Sequence, residues 1–310
     1  KFSLIYNDYI KMINFEYLKN LNSAQKEAVM YTEGPLLVVA GAGSGKTKVL
    51  TSRIVHLIKD KKIIPNQILS VTFTNKAASE MQNRVIKMLK SGSSGLPWLG
   101  TFHSICAKLL RKHAKAVGLN SNFTIIDTDD QIRLIKNICK AENIDVKKLS
   151  PRVILAIIDR WKNKGFYPQE VILDKRDIYE KTILPIYKIY QNKLINLNAC
   201  DFGDLILHCV HMLENESNIR EIYTNNFKYI LVDEYQDTNF IQSKWLNLLA
   251  QKRNNICCVG DDDQSIYSWR GAEIKNFLTF DQIYKNCKVF KLEQNYRSSK
   301  NILDTASCLI

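Results

Sequence analysis

Ala40-Gly41-Ala42-Gly43-Ser44-Gly45-Lys46-Thr47 decides the reading of this 310-residue chain. An apolar run, Leu36 to Val39, precedes it, and a segment with helical spacing (Leu50, Ile54, Leu57, Ile58) follows it. A strand, a glycine-rich loop ending in Lys-Thr and a helix make a phosphate cradle, because glycine lets the backbone wrap close enough for its N–H groups to meet phosphate oxygens. Ala42, Gly43, Ser44 and Gly45 would supply those N–H groups. Lys46 would reach the β- and γ-phosphates, and Thr47 would ligate Mg²⁺. Ala40 stands where the strict G-x-x-x-x-G-K-[ST] pattern has glycine.

Further apolar runs end in polar signals. Ile68 to Phe73 leads into Thr74-Asn75 and a helix with apolar positions Ala78, Met81, Val85, Met88 and Leu89. Phe227 to Val232 leads into Asp233-Glu234, Ile256 to Val259 into Gly260-Asp261, and Val289 to Leu292 into Gln294-Asn295-Tyr296-Arg297. Continuous apolar strands alternating with helices predict a parallel sheet covered on both faces. Ligand chemistry in such sheets collects at the carboxyl ends of the strands, where these polar clusters fall. The acidic pair suits a triphosphate enzyme: Asp233 to hold Mg²⁺, Glu234 to orient and deprotonate the attacking water.

The net charge is +13, from 44 Lys and Arg against 31 Asp and Glu. That points to a polyanionic partner, nucleic acid before an anionic membrane. Residues 112–198 are helical in pattern and hold sixteen Lys and Arg against ten Asp and Glu. They read as an insertion, with a capping box Thr128-x-x-Gln131 opening the helix of Ile132, Ile135, Ile138 and Cys139. Within it, Arg160-Trp161-Lys162-Asn163-Lys164 reads either as a grip on duplex phosphates or as a solvated face. The eight cysteines are scattered without a C-x-x-C pair and read as reduced, mostly buried thiols of a cytoplasmic protein. No apolar run reaches membrane-span length, so no membrane partner is expected. Ser91 to Gly95 reads as a surface loop. The chain opens on Lys1, and Met12 would serve as a start.

Val232-Asp233-Glu234-Tyr235-Gln236-Asp237-Thr238-Asn239 resembles motif II of the UvrD/Rep/PcrA helicases of superfamily 1, and other motifs of that family follow in order. Leu21-Asn22-x-x-Gln25 resembles its Q motif, residues 40–47 its motif I, and Val71-Thr72-Phe73-Thr74-Asn75-Lys76-Ala77-Ala78 its motif Ia. Gly100-Thr101-Phe102-His103-Ser104 resembles the next DNA-contact motif. Residues 259–272, from Val259 through Gln264, Tyr267, Trp269 and Arg270 to Ala272, resemble motif III; Leu292-Glu293-Gln294-Asn295-Tyr296-Arg297-Ser298-Ser299 resembles motif IV.

The resemblance implies an ATP-dependent helicase or translocase that tracks single-stranded DNA 3′ to 5′ and meets single-strand/duplex junctions in repair or replication. Gln25 would bind adenine and Tyr296 would stack on it. Gln264 would sense the γ-phosphate and Arg297 would reach it. Phe73, Thr74, Asn75, His103, Tyr267, Trp269 and Arg270 would face the strand; aromatic rings stack on bases without reading sequence. For Phe73, at the end of an apolar strand, core packing is the competing reading, and His103 reads equally as a DNA contact and as a buried histidine. Two positions depart from the family: Gly203 in Asp201-Phe202-Gly203-Asp204-Leu205 stands where an acid is usual, and Lys48 replaces an arginine.

The expected fold is a RecA-like P-loop α/β domain with an inserted, mainly helical subdomain. Residues 1–111 and 199–282 would form motor domain 1A, 112–198 subdomain 1B, and 283–310 the start of a truncated domain 2A. Family motifs V and VI are absent, so domains 2A and 2B would be partners supplied beyond residue 310. A competing reading is an ATP-gated single-strand DNA clamp without unwinding. A P-loop kinase or GTPase is disfavoured, because no guanine-reading N-K-x-D follows and motif III would go unexplained. RNA as substrate stays open.

Overall fold

A computed structural model of the chain describes residues 16–90, 95–173, 178–268 and 271–308. Trp269, Arg270, Met12 and most of the Ser91 to Gly95 loop lie outside the described residues. The strands in chain order are β1 (Leu36–Ala40), β2 (Ile68–Thr72), β3 (Leu99–Thr101), β4 (Thr124–Ile125), β5 (Ala199–Cys200), β6 (Tyr229–Val232), β7 (Ile256–Gly260) and β8 (Lys288–Leu292). The helices are α1 (Ser23–Met30), α2 (Lys46–Lys59), α3 (Asn75–Leu89), α4 (Phe102–His113), α5 (Thr128–Ala141), α6 (Pro151–Asn163), α7 (Ile178–Asn196), α8 (Phe202–Asn215), α9 (Ser217–Asn226), α10 (Phe240–Ala250), α11 (Ile274–Leu278), α12 (Phe280–Ile283) and α13 (Lys300–Ser307).

Six strands form one sheet in the order β3-β2-β6-β7-β1-β8, every neighbouring pair parallel. Alternation along each strand feeds two cores. Leu36, Val38, Ala40, Tyr229, Leu231, Cys257 and Val259 pack with α1, α2 and α3. Leu37, Leu69, Val71, Ile230, Val232, Ile256 and Cys258 pack on the other face with α4, α8 and α10. A strand buried on both faces has no polar side, so it reads as an unbroken apolar run. The helices show the complementary signal: Leu50, Ile54 and Leu57 of α2 are fully buried, as are Met81 and Val85 of α3. This is the RecA-like α/β architecture expected from the sequence. Among the described residues, no helix is long and apolar enough to cross a membrane.

Three expectations shift. β8 pairs with β1 over five register positions, from Leu36↔Lys288 to Ala40↔Leu292, so the sheet runs past the boundary placed at 283. The insertion's own core draws on Ile135, Ile154, Trp161, Tyr187 and Leu194 of α5, α6 and α7, whereas Ala114, Leu119 and Phe123 pack into the motor core. The two-stranded pair β4–β5 closes its base. The cap of α5 is Asp127 rather than Thr128, because the Asp127 carboxylate accepts the Asp130 N–H at 2.9 Å.

The insertion meets the motor domain through buried charge. Lys162, read as a surface cation, is 1% exposed. Its Nζ lies 2.6 Å from Asp201 and 2.7 Å from Asp204. Trp161 is buried against Tyr187, and Arg160 pairs with Glu180 at 2.7 Å. Lys162 therefore forms an interdomain joint, whereas Trp161 and Arg160 pack within the insertion and Arg160 and Lys164 keep exposed surface. Burial lowers the Lys162 pKa, but the two carboxylates outweigh it and hold the ammonium above its usual range.

Asp159 sits beside this joint. Burial and the charges of Asp201 and Asp204, against the pull of Lys162, push its carboxyl up to about 7. The native state then holds a proton that the unfolded chain releases near pH 4. Asp159 thus weakens the fold above about pH 7, an effect that fades as pH falls through that window and is gone below pH 4. Asp159→Asn is expected to add about 2–4 kcal/mol of stability at pH 8 and nothing at pH 4. Urea unfolding at the two pH values measures the difference; equal stabilities at pH 8 would refute the assignment.

Candidate nucleotide site and adjoining groove

The phosphate loop leaves β1 and enters α2 through Gly43 and Gly45, both left-handed at φ 74° and 91°. Both glycines are also needed for space. A Cβ on Gly43 would lie 2.6 Å from the Arg297 Cβ, and one on Gly45 would lie 2.8 Å from Gln25 Nε2. The segment after β8 is seated on the loop by backbone and side-chain bonds. Tyr296 N–H donates to the Gly43 carbonyl at 2.9 Å, and the Asn295 amide donates to the Ala42 carbonyl. The Asn295 side-chain oxygen Oδ1 also receives Arg297 N–H and Ser298 N–H at 2.8 and 2.9 Å. Asn295 is thus the clamp that sets Tyr296 and Arg297 over the loop, a role the sequence reading passed over although it quoted the residue.

Lys46 opens α2 with its ammonium buried. It lies 3.2 Å from Glu234 Oε2 without forming an aligned hydrogen bond. Asp233 and Glu234 follow β6, two strands from β1, so Lys46 reaches the acids across β7. Glu234 is itself left-handed at φ 51°, a strained conformation for a side chain with a Cβ and one common at functional turns. Burial and the neighbouring Glu234 charge push the Asp233 carboxyl up to about 7, and the same two causes raise Asp237 to about 6; Lys46 opposes both. Asp237 Oδ1 is buried without a partner.

These features fit a Mg²⁺–triphosphate. Among the described residues, a buried ammonium with no hydrogen-bond partner stands beside a loop whose left-handed glycines leave no room for a Cβ, and carboxylates whose ionised form is disfavoured face it. The Thr47 hydroxyl and Asp233 carboxylate are hard oxygen donors, the kind Mg²⁺ takes alongside phosphate oxygens. Among the described residues, no group of three or more His, Cys, Asp or Glu side chains converges on one metal position.

A relay links the acids to β7. Gln236 donates to Glu234 Oε2 at 3.0 Å and accepts the Asp261 N–H at 3.1 Å, and Gln264 donates to Asp261 Oδ2. Gly260 admits this approach, since a Cβ there would meet Gln236 Oε1 at 2.5 Å. Gln264 is therefore joined to Glu234 through Gln236 and Asp261, two residues not singled out from sequence.

Gln25 lies against the phosphate loop. It is fully buried, its Nε2 donates to the Ser44 carbonyl at 2.8 Å, and its Oε1 accepts Asn22 N–H as half of a capping box. These bonds fasten α1 to the phosphate loop, and one N–H and one oxygen lone pair of the amide stay open to further bonding. Tyr296 is 54% exposed, and its hydroxyl accepts from Asn22 Nδ2 at 2.8 Å. The Arg297 side chain is exposed.

The residues expected to face a strand divide. Phe73 packs edge-on against Phe102, ring centroids 5.5 Å apart, and joins the core, which favours its packing reading. Thr74 caps α3 by accepting Ala77 N–H at 3.1 Å, and Asn75 is exposed beside it. His103 lines a cavity of about 670 Å³ between insertion and motor domain, together with Arg160, Asn163, Phe202, Ser268 and Gly271. Burial holds its imidazole below the usual pKa, and its ring meets Phe202 edge-on at 5.8 Å. Tyr267 is half-buried, one residue from that cavity's lining. Trp269 and Arg270 fall outside the described residues. Phe202, 50% exposed, is an aromatic wall that sequence reasoning quoted without assigning a role.

A glycine loop after β1, an acidic pair after β6 and a polar strap after β8, all at the carboxyl edge of one parallel sheet, define a P-loop α/β domain of the RecA-like class. The chain belongs to the UvrD/Rep helicase family: the family's model, UvrD/REP helicase N-terminal domain, matches residues 21–285. It is 48% identical over 293 residues to the ATP-dependent DNA helicase PcrA of Staphylococcus epidermidis, covering 94% of this chain and 40% of that protein. It is 46% identical over 302 residues to the probable DNA helicase II homolog of Rickettsia conorii, covering 96% of this chain and 46% of the relative. The chain spans less than half the length of these relatives.

Proposed function

We propose that this chain hydrolyses ATP and contacts single-stranded DNA as part of a 3′–5′ helicase or translocase acting in DNA repair or replication in the cytoplasm. The observation that carries the reading is the buried, hydrogen-bond-free ammonium of Lys46 between a glycine cradle and Glu234. The β- and γ-phosphates would replace Glu234 as its partner. Glu234, released, would orient and deprotonate the water attacking the γ-phosphorus as the bond to the ADP oxygen breaks. Gln264 would feel that exchange through Asp261 and Gln236, and Arg297 would approach the γ-phosphate from the strap over Gly43. Mg²⁺, held by Thr47 and Asp233, would neutralise phosphate charge. His103, Phe202, Tyr267, Trp269 and Arg270 would form part of the strand's path, with Thr74 and Asn75 at its edge. A second motor domain of the family kind, with its 2A and 2B parts, would close the site and meet the single-strand/duplex junction.

The test is ATP hydrolysis by this chain with and without single-stranded DNA or RNA, with Lys46→Ala as blank. Turnover stimulated several-fold by DNA, and less by RNA, is expected. Failure to bind ATP at all would overturn the reading.

A further inference from the structure

We propose that Asn163, at the carboxyl end of α6 and anchored by its neighbour Lys162, is a positioning residue that couples the nucleotide loop to the groove; the inference rests on the ATPase reading above. The Asn163 side-chain oxygen Oδ1 accepts from Asn239 Nδ2 at 2.9 Å. Asn239 ends the acidic loop and caps α10, where its own side-chain oxygen accepts Gln242 N–H at 3.0 Å. The five residues between Asp233 and Asn239 cannot flex independently. Tyr235 is fully buried, residues 235–237 form one tight turn, and the Thr238 carbonyl receives Glu273 N–H at 2.9 Å and Asn276 Nδ2 at 3.2 Å. A shift of Glu234 on losing Lys46 to phosphate therefore carries Asn239 with it.

From Asn163 the contacts lead to the groove by two routes. A Cβ on Gly271 would lie 3.6 Å from Asn163 Nδ2, so Gly271 lies beside this side chain. On the other side, Lys162 holds Asp201 and Asp204, the capping box of α8, and Phe202 between them projects into the groove against His103. Gly203 makes this possible: a Cβ there would stand 2.9 Å from Lys162 Cδ. The end of α6 thus touches the acidic loop, the segment at Gly271 and the wall at Phe202 at once. It belongs to the insertion, while all three belong to the motor domain. A coupling of this kind is reciprocal: nucleotide alters strand affinity by the factor by which strand alters nucleotide affinity.

The experiment measures the affinity of the full chain for a fluorescein-labelled oligo(dT), by anisotropy, with and without the β,γ-imido analogue of ATP and Mg²⁺. The ratio of the two dissociation constants is the coupling factor. A ratio of about fivefold or more is expected for the parent, the lower end of common allosteric coupling. Asn163→Ala is expected to bring it within about twofold of unity, with the melting temperature little changed, because the bond lost is half-exposed. Asn163→Asp keeps the acceptor and should restore the ratio, even if its charge weakens both affinities alike. Asn239→Asp keeps the capping oxygen but not the donor, and should be non-additive with Asn163→Ala. A parent-like ratio in Asn163→Ala overturns the positioning role alone, as does a ratio of one in a parent that binds both ligands. A parent that binds no analogue overturns the ATPase reading with it.

Discussion

Lys46→Ala is expected to lower ATP turnover by about 10²–10³-fold, the loss typical when one preorganised stabiliser of developing charge is removed. The fold should survive. Among the described residues the side chain pairs with Glu234, whose side chain is 38% exposed, and a pair of that kind contributes at most about 1 kcal/mol. The ammonium makes no hydrogen bond that the variant would leave unsatisfied. Without it, Asp233 and Asp237 lose the cation that opposes the rise in their pKa, so their carboxyls should move further up. The nucleotide dependence separates this role from general damage. On the proposed role of Lys46 at the outer phosphates, ATP affinity should fall much more than AMP affinity. Isothermal titration of ATP, ADP and AMP against parent and variant measures this. Equal losses for all three would mean that the loop has collapsed.

Much of this architecture was legible because its signals are local. β1, β2, β6 and β7 are buried on both faces, and that burial writes itself into sequence as apolar runs. The glycine loop was legible because only glycine takes the φ values at Gly43 and Gly45 without strain. β3 went unread: three residues with a central glycine carry no period, and pairing with β2 alone makes them a strand. β8 was read as a strand but assigned to a second unit. Its exposed Lys288 and Lys291 mark a sheet edge, and nothing local states which sheet a strand will join. The cap of α5 was misplaced by one residue because Asp127 and Thr128 are both good caps, and spacing alone does not choose between them. In the site, single residues were legible and their connections were not. Gln25, Gln236 and Asn295 act through bonds to Ser44, Asp261 and Ala42, which lie far from them in sequence.

Lys162 is the sharpest case of the same kind, and its removal is expected to have the largest effect on stability. Its partners Asp201 and Asp204 lie 39 and 42 residues away, and both carboxylates and the ammonium are wholly buried. Asp201 also receives the Tyr190 hydroxyl at 2.9 Å, and Asp204 the Gln191 amide at 2.8 Å. Lys162→Met fills the same volume and deletes the charge, leaving two carboxylates with hydrogen bonds but no counter-ion. Breaking a buried pair in this way costs about 3–5 kcal/mol. The loss should depend on pH with a definite sign. Burial holds the Asp201 carboxyl above its usual range, whereas at Asp204 the Lys162 charge outweighs burial and holds the carboxyl below it, so the deficit grows toward alkaline pH. As pH falls they take up protons more readily in the variant, and the gap to the parent closes. Urea unfolding at pH 8 and pH 5 measures both quantities; a deficit below about 1 kcal/mol at pH 8 would mean that water already screens the cluster. The triple replacement Lys162→Met, Asp201→Asn, Asp204→Asn removes the charges together. It should recover most of the stability, because a desolvated ion pair is a weak source of stability beside neutral groups of similar volume. What it should not recover is the dependence of oligonucleotide affinity on nucleotide. If it does, the buried charges are interchangeable with any packing that fills the joint, and the end of α6 positions nothing through Lys162.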